Sequence, residues 1–329
     1  MPSRRRALLI LVALAGLAVL SVLLALMVGS VRVAPAEVFS TLFGEGGGVA
    51  GEVVRSLRLP RALAGLACGG LLALAGALLQ VLLRNPLADP YVLGISGGAG
   101  VGAMLAILFG LSAAGINGFA FLGALAAMFV VFGLAHGDGS WTQTRLLLTG
   151  VIVAAGCGAA VALMLSIAPE HKLRGMLFWL MGDLSQSNDP QLALGVLTAV
   201  LLISLPFARE LNLLARGADT AQTLGVAVGH LRRGVYVVAS IATAAAVTHA
   251  GSIGFIGLIV PHLVRLATGN DQRLLLPASV LAGGSLLVIA DTLARTVVAP
   301  LQLPVGVLTA LIGVPVFLFL LTRDPQARR

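Results

Sequence analysis

The sequence predicts an all-α, polytopic membrane protein with about ten transmembrane helices, in a single domain over residues 1–329. Of the 329 residues, 58% are hydrophobic and only 10% are charged, and the mean hydropathy is +1.03. Soluble domains carry about 25% charged residues. Apolar runs near the length that crosses a bilayer, about 17–25 residues, fall roughly at 7–28, 62–83, 92–111, 115–135, 146–168, 191–208, 234–250, 253–268, 274–294 and 305–322.

The first apolar run, 7–28, follows three arginines and has the general look of a secretion signal. The apolar part of a signal peptide is about 7–15 residues long, shorter than this run. We therefore predict that the segment is a retained first membrane helix.

The distribution of basic residues predicts the orientation. With the N-terminus in the cytoplasm, fourteen of the 21 lysines and arginines fall on the cytoplasmic side. This bias agrees with the positive-inside rule, and an even number of spans returns the C-terminus to the cytoplasm. The other basic residues would lie outside, at Arg32, Arg55, Arg58, Arg61, Lys172, Arg174 and Arg295.

The sequence lacks the residue patterns that nucleotide hydrolysis, metal binding and catalysis require. Lys172 is the only lysine, so the sequence has no P-loop, whose lysine contacts nucleotide phosphates. Cys68 and Cys157 lie in Gly/Ala-rich runs without metal or disulfide spacing, and the five histidines are spread over different segments. We expect no catalytic site, no metal site and no ATP hydrolysis by this chain.

The stretch from Arg84 to Gly102 places an amide and two prolines directly after an apolar run. In a membrane, proline and exposed polar backbone are tolerated only where they meet protein or line a water-filled cavity, so we expect a pathway element. Gly94, Gly98 and Gly102 recur every four residues, a spacing that favours close helix packing. Packing does not account for the polar residues of the stretch, Arg84, Asn85, Asp89 and Ser96.

The longest polar stretch on the predicted cytoplasmic side is 209–233. Asp219 favours a helix N-terminus through the helix dipole and Gly225 favours a helix end, so we predict a short helix there. Ala221 and Leu224 fall on one side of it. From the residues alone, a simple connector and a surface that docks a partner are both open.

Three arginines on the predicted outer side run against the charge bias. Arg58 and Arg61 precede the second apolar run, and Arg295 follows Asp291 by four residues, the spacing of a helical ion pair. Interfacial anchors and docking points for an acidic partner both explain them. A further outer stretch, 169–190, predicts a short interfacial helix anchored by aromatic side chains.

Several motifs follow one another along nearly the whole chain: R-N-P-L-A-D-P-Y-V-L-G-I-S-G-G-A from Arg84, L-R-L-P-R at 57–61, F-W-L-M-G-D-L-S at 178–185, G-A-D-T-A-Q-T-L-G-V at 217–226, G-F-I-G-L-I-V-P-H-L-V-R at 254–265 and L-P-V-G-V-L-T-A-L-I-G-V-P at 303–315. In this combination the chain resembles the FecCD family, the permease subunits of ABC importers for iron-siderophores, haem and cobalamin. One position departs from the family: its coupling motif often begins Gly-Glu, where this chain has Gly217-Ala218-Asp219.

The resemblance implies a type II ABC importer permease fold with ten helices per subunit, working as a homodimer around a pathway on the two-fold axis. Two separate ATP-binding-cassette ATPase subunits would hold ATP and Mg, with no cofactor bound by this chain. A periplasmic or lipoprotein substrate-binding protein would deliver the cargo. The resemblance also implies a multi-pass protein of the bacterial inner (plasma) membrane, in contact with lipid and not with nucleic acid.

Matching positions imply roles for particular residues. The cytoplasmic gate and pathway would contain Asn85, Leu87, Ser96, Gln143 and Thr144. Acidic residues of the binding protein would pair with Arg58, Arg61 and Arg295. The cytoplasmic coupling region, about 209–233, would present to the ATPase Arg216, Gly217, Ala218, Asp219, Thr220, Ala221, Leu224 and Gly225.

The resemblance thus implies import of an iron chelate, siderophore or haem, by alternating access, with cobalamin as the alternative cargo within the same family. The rival of another class is an ion-coupled secondary transporter. That rival requires titratable groups within the membrane, and the sequence places none convincingly there.

Overall fold

The computed structural model describes residues 4–29, 33–44, 47–135, 142–185 and 189–323, and within these ranges every regular element is helical. Arg32, Arg328 and Arg329, which entered the topology prediction, lie outside the described residues. The helices are α1 (Arg4–Met27), α2 (Pro35–Leu42), α3 (Gly48–Glu52), α4 (Leu59–Leu82), α5 (Ile95–Leu108), α6 (Ala113–Ala135), α7 (Gln143–Ile167), α8 (Glu170–Leu180), α9 (Gln191–Ser204), α10 (Ala208–Arg216), α11 (Ala218–Thr223), α12 (Val228–Ala250), α13 (Ile256–Thr268), α14 (Gln272–Thr296) and α15 (Val305–Arg323).

The predicted membrane class is confirmed. Six helical stretches of the described chain are long and apolar enough to cross a membrane, and three shorter helices are also apolar. Each predicted apolar run contains a helix, and the predicted interfacial helix is α8. One boundary is wrong: α12 begins at Val228 instead of near 234, because the helix continues through polar residues that hydropathy alone leaves out.

Helix α4 forms the centre of the bundle, where it packs against α14, α12, α13 and α9. Every residue from Ala67 to Leu82 is buried. The sequence of α4 is almost entirely Ala, Gly and Leu, and small residues let helix backbones approach closely. At Gly69 the approach is so close that a Cβ would collide with the carbonyl oxygen of Gly283 on α14.

The apolar helices α5 and α13 are too short to cross a bilayer alone. The 14 residues of α5 and the 13 of α13 span only about 20 Å each at 1.5 Å per residue, against about 30 Å of hydrocarbon. The connections that precede them, 83–94 and 251–255, therefore complete these crossings. Non-helical backbone at that depth requires partners inside the protein.

The glycines before and within α5 pack in two directions. Gly98 lies against Gly123 and Gly102 against Phe119, both on α6, as the four-residue spacing predicts. The prediction is wrong for Gly94, which precedes the helix with φ +76° and lies against Gly150 of α7. The reason is the 3-10 turn Pro90–Leu93, which delays the start of α5 to Ile95.

Candidate functional site

The connection after α4 begins with a sharp turn. Arg84 has φ 46°, unusual for a residue with a side chain, and Pro86 cannot continue a helix. The side-chain oxygen of Asn85 accepts a hydrogen bond from the backbone amide of Leu87 at 2.9 Å. The backbone amide of Asn85 donates to the carbonyl of Gln80 at 3.2 Å. The Asn85-Pro86-Leu87 motif thus closes the end of α4 with its own polar groups.

Gln143 joins the first turn of α7 to the end of α4. Its Nε2 donates to the carbonyl of Leu82 at 3.0 Å, and Arg84 Nη2 lies 3.4 Å from its Oε1. Thr144 is exposed beside it. The structure therefore brings Asn85, Leu87 and Gln143 to one region, and their role as a cytoplasmic gate stays a prediction.

Ser96 lies in a different cluster, where the connections before α5 and α13 meet. Its Oγ is 3.0 Å from the Oγ of Ser252. Tyr91 Oη accepts from the amide of Ile253 at 2.8 Å and donates to the carbonyl of the same residue at 2.9 Å. These bonds supply partners for the buried non-helical backbone, and sequence reasoning missed both Tyr91 and Ser252.

The predicted short helix of the coupling region is α11, which lies between α10 and α12. Gly217, with φ +138°, separates α10 from α11, and Gly225, with φ +84°, follows the helix end as predicted. The prediction that Ala221 and Leu224 share a side is wrong. Ala221 is buried, whereas Leu224 lies one position beyond the helix, where the chain turns, and is 61% exposed.

The coupling region adjoins the turn after α4. A Cβ at Gly217 would lie 3.8 Å from Arg84 Nη1. Arg232, near the start of α12, interacts electrostatically with both Arg84 and Asp219. Arg84 therefore lies beside Gly217 and also contacts Gln143.

The opposite end of the bundle holds an ion-pair cluster, which we call the Asp291 network. Arg61 pairs with Asp291 at 2.8 Å, and Arg295 pairs with the same carboxylate at 3.2 Å, which confirms the predicted helical pair. Asp183 lies 3.9 Å from Arg61, and Gln302 accepts from Arg61 at 3.2 Å. Sequence reasoning missed Asp183 and Gln302 as partners.

Arg58 holds the end of α1 to the start of α4. It is buried, and its Nη1 donates to the carbonyls of Leu26 at 2.7 Å and Met27 at 3.2 Å. The last carbonyls of a helix have no partner within the helix, so Arg58 caps α1. Contact of Arg58, Arg61 and Arg295 with an acidic binding protein stays a prediction.

A family model described as the FecCD transport family matches residues 17–323. The chain belongs to the FecCD transport family. The resemblance drawn from the motifs is thereby confirmed, and with it the assignment to the permeases of ABC importers.

Relatives within the family carry names that differ in cargo. The chain is 46% identical to the cobalamin import system permease BtuC of Halobacterium salinarum, over 84% of this chain and 74% of the relative. It is 42% identical to the hemin transport permease HmuU of Yersinia pestis, over 83% and 84%. It is 41% identical to the Fe(3+) dicitrate permease FecD of Escherichia coli, over 82% and 85%.

The fold is also similar to a solved structure. An ABC transporter assigned to the metal-chelate type, in an inward-facing conformation, superimposes with a TM-score of 0.83 at 32% identity. The match covers 97% of this chain and 100% of the other. The helical architecture therefore belongs to a known transporter fold.

Proposed function

We propose that this FecCD-family permease works as a homodimer and imports a metal chelate by alternating access. Each subunit would cross the bacterial inner membrane ten times with both termini in the cytoplasm, in the type II ABC importer arrangement. Two separate ATPase subunits would bind ATP and Mg and dock on the α11 end of the bundle. The observation that carries the proposal is the closeness of Gly217 in the coupling region to Arg84 in the turn after α4.

The proposed transmission runs through few residues. Closure of the ATPases on ATP would displace α11 through Asp219 in its first turn and Leu224 just after its end, which are both exposed. Gly217 then shifts beside Arg84, and the contact of Arg84 with Gln143 passes the movement to α7. Because α7 has few buried residues, it is free to line a pathway at the subunit interface.

The opposite end would receive the substrate-binding protein. With Arg58 nearby, three arginines here face the two carboxylates of Asp291 and Asp183, which would leave a formal positive charge for an acidic surface. Affinity for the cargo would reside in the binding protein.

The cargo we propose first is an iron chelate, siderophore or haem, which the names of the Yersinia and Escherichia relatives support. The second candidate is cobalamin, favoured by the 46% identity to the Halobacterium permease. ATPase activity of the complex, reconstituted with its binding protein, should rise with one of these ligands and not the other. Uptake driven by an ion gradient without ATP would instead support a secondary transporter.

The coupling assignment is tested by replacing Asp219 and Leu224 with alanine together. Both side chains are exposed, so the membrane domain should remain folded while recovery of the ATPase with the permease falls about tenfold or more. Gln222→Ala, also exposed on α11, serves as the control and should retain the ATPase. Full recovery of the ATPase with the double variant would refute the assignment.

A further inference from the structure

A cavity of about 850 Å³ lies where α1, α4, α10 and α13 end or begin, beside the start of α14. Four arginines line it, and we call it the arginine cavity: Arg6, Arg84, Arg216 and Arg265. The acidic residue in its wall is Asp271. The wall thus carries a formal excess of positive charge.

Three charges of the arginine cavity, those of Arg84, Arg216 and Arg265, are not cancelled by a carboxylate of the described chain. Asp271 Oδ1 accepts from Asn212 Nδ2 at 2.9 Å and from the Arg273 amide at 3.1 Å, as the cap of α14. Arg265 donates to a neutral partner, Gln80 Oε1, at 2.9 Å. Among the described residues no carboxylate pairs with Arg84, Arg216 or Arg265.

The position of the cavity relative to lipid follows from α1. Arg6 lies on the first turns of this helix, and the side chains that follow, Leu8, Leu9 and Val12, are 58–68% exposed. Exposed leucine and valine on a helix long enough to span a membrane face hydrocarbon. The arginine cavity therefore lies at the level where that hydrocarbon meets water, which is the level of lipid headgroups.

We propose that the arginine cavity binds the phosphate headgroup of an anionic phospholipid of the cytoplasmic leaflet. This rests on the orientation given under the proposed function. Basic pockets between membrane helices on the cytoplasmic side suit anionic headgroups, and guanidinium groups form paired hydrogen bonds with phosphate. The apolar lining residues Val81, Pro86 and Ala267, together with the exposed face of α1, suit a phosphate that carries acyl chains better than a free anion.

The site would bear on coupling, because Arg216 is the last residue of α10 and Gly217 leads directly into α11. A headgroup held by Arg216 fixes the point from which the coupling helix projects. It also engages Arg84, which lies beside Gly217. Lipid composition would thus act on the same few residues as the ATPase.

The test is lipid binding to the full-length purified chain in neutral detergent. Retained lipid is counted by native mass spectrometry during titration with phosphatidylglycerol, phosphatidylcholine or inorganic phosphate. The double variant R216Q/R265Q is compared with R233Q/R273Q, which removes the same charge from exposed arginines on the first turns of α12 and α14. R216Q alone, at an exposed position, guards against a folding defect in the double variant.

We expect phosphatidylglycerol to bind in preference to phosphatidylcholine, with affinity reduced roughly 20-fold in R216Q/R265Q, about fivefold in R216Q, and little in the control. Equal affinity in all variants would overturn the proposal. So would inorganic phosphate displacing the lipid at comparable concentration, which would make this a free-anion site. Because no ATPase is present, a negative result leaves the coupling experiment unaffected.

Discussion

In the Asp291 network two arginines share one carboxylate, whereas in the arginine cavity at the other end of the bundle several arginines have only neutral partners or none in the described chain. The side chains of the network are nearly dry, at 12%, 4% and 10% exposure for Arg61, Asp291 and Arg295. Those of the cavity range from half-buried Arg265 to exposed Arg216. The same residue type is thus used in two ways.

The difference follows from the cost of burying charge. A buried ion stripped of its partner is strongly destabilising, so arginines deep in the Asp291 network need the aspartate to keep the fold. Arginines at the edge of an open cavity remain hydrated without a partner, and their charge stays available to a ligand. The paired charge therefore supports the fold, and the unpaired charge is where we propose that a ligand binds.

The strongest test of this distinction is Asp291→Ala. The change leaves Arg61 and Arg295 without their shared carboxylate, so the free energy of unfolding should fall by about 3–5 kcal/mol. Denaturant titration in mixed micelles measures it. Glu170→Ala removes an exposed acid from the first turn of α8 and should cost below about 1 kcal/mol. Equal losses in the two variants would mean that the shared carboxylate does not stabilise the buried arginines.

Arg58→Met tests what is lost when a buried arginine near the Asp291 network can no longer donate. Loss of the charged donor leaves the carbonyls of Leu26 and Met27 uncapped, which should cost about 2 kcal/mol of unfolding free energy. Arg55→Met is the matched control: Arg55 is exposed and donates to the carbonyl of Thr41. A smaller loss at Arg58 than at Arg55 would mean that burial does not decide the cost.

Gln143→Ala tests a neutral contact at the cavity end. The variant loses the bond to the Leu82 carbonyl and should lower the free energy of unfolding by about 1 kcal/mol. Thr144→Ala, next in sequence and exposed, should change it by less than about 0.5 kcal/mol. The same denaturant titration compares them, and a larger loss at Thr144 would contradict the assignment of Gln143 as the link to α4.

The smallest effect is expected for Arg216→Gln in detergent without added lipid. An exposed arginine with no carboxylate partner among the described residues should contribute less than about 0.5 kcal/mol to the free energy of unfolding. Denaturant titration beside Asp291→Ala checks this directly. A loss of several kcal/mol would place Arg216 among the structural arginines and remove the contrast between the two ends.

Much of the fold follows from sequence because local pattern fixes it. Apolar runs mark the spanning helices, and Gly225 marks the end of α11. The four-residue spacing of Asp291 and Arg295 fixes their pairing on one helix. Each of these features depends on neighbours within a few turns.

The rest depends on residues that are distant in sequence. Arg61 meets Asp291 across 230 positions, and Tyr91 meets Ile253 across 162. A pattern of neighbouring residues cannot predict contacts between positions so far apart in sequence. The same holds for the split between buried Ala221 and exposed Leu224, which depends on where the chain turns after α11.

The Tyr91 hydroxyl and the Ile253 peptide exchange two hydrogen bonds, as paired residues do in an antiparallel ladder. A side chain therefore substitutes for a neighbouring strand. Both bonds must break together if the connections before α5 and α13 separate, because one oxygen serves both. The short helices α5 and α13 should accordingly move as one rigid body whenever the bundle rearranges. Relative motion would then be confined to the helices around them.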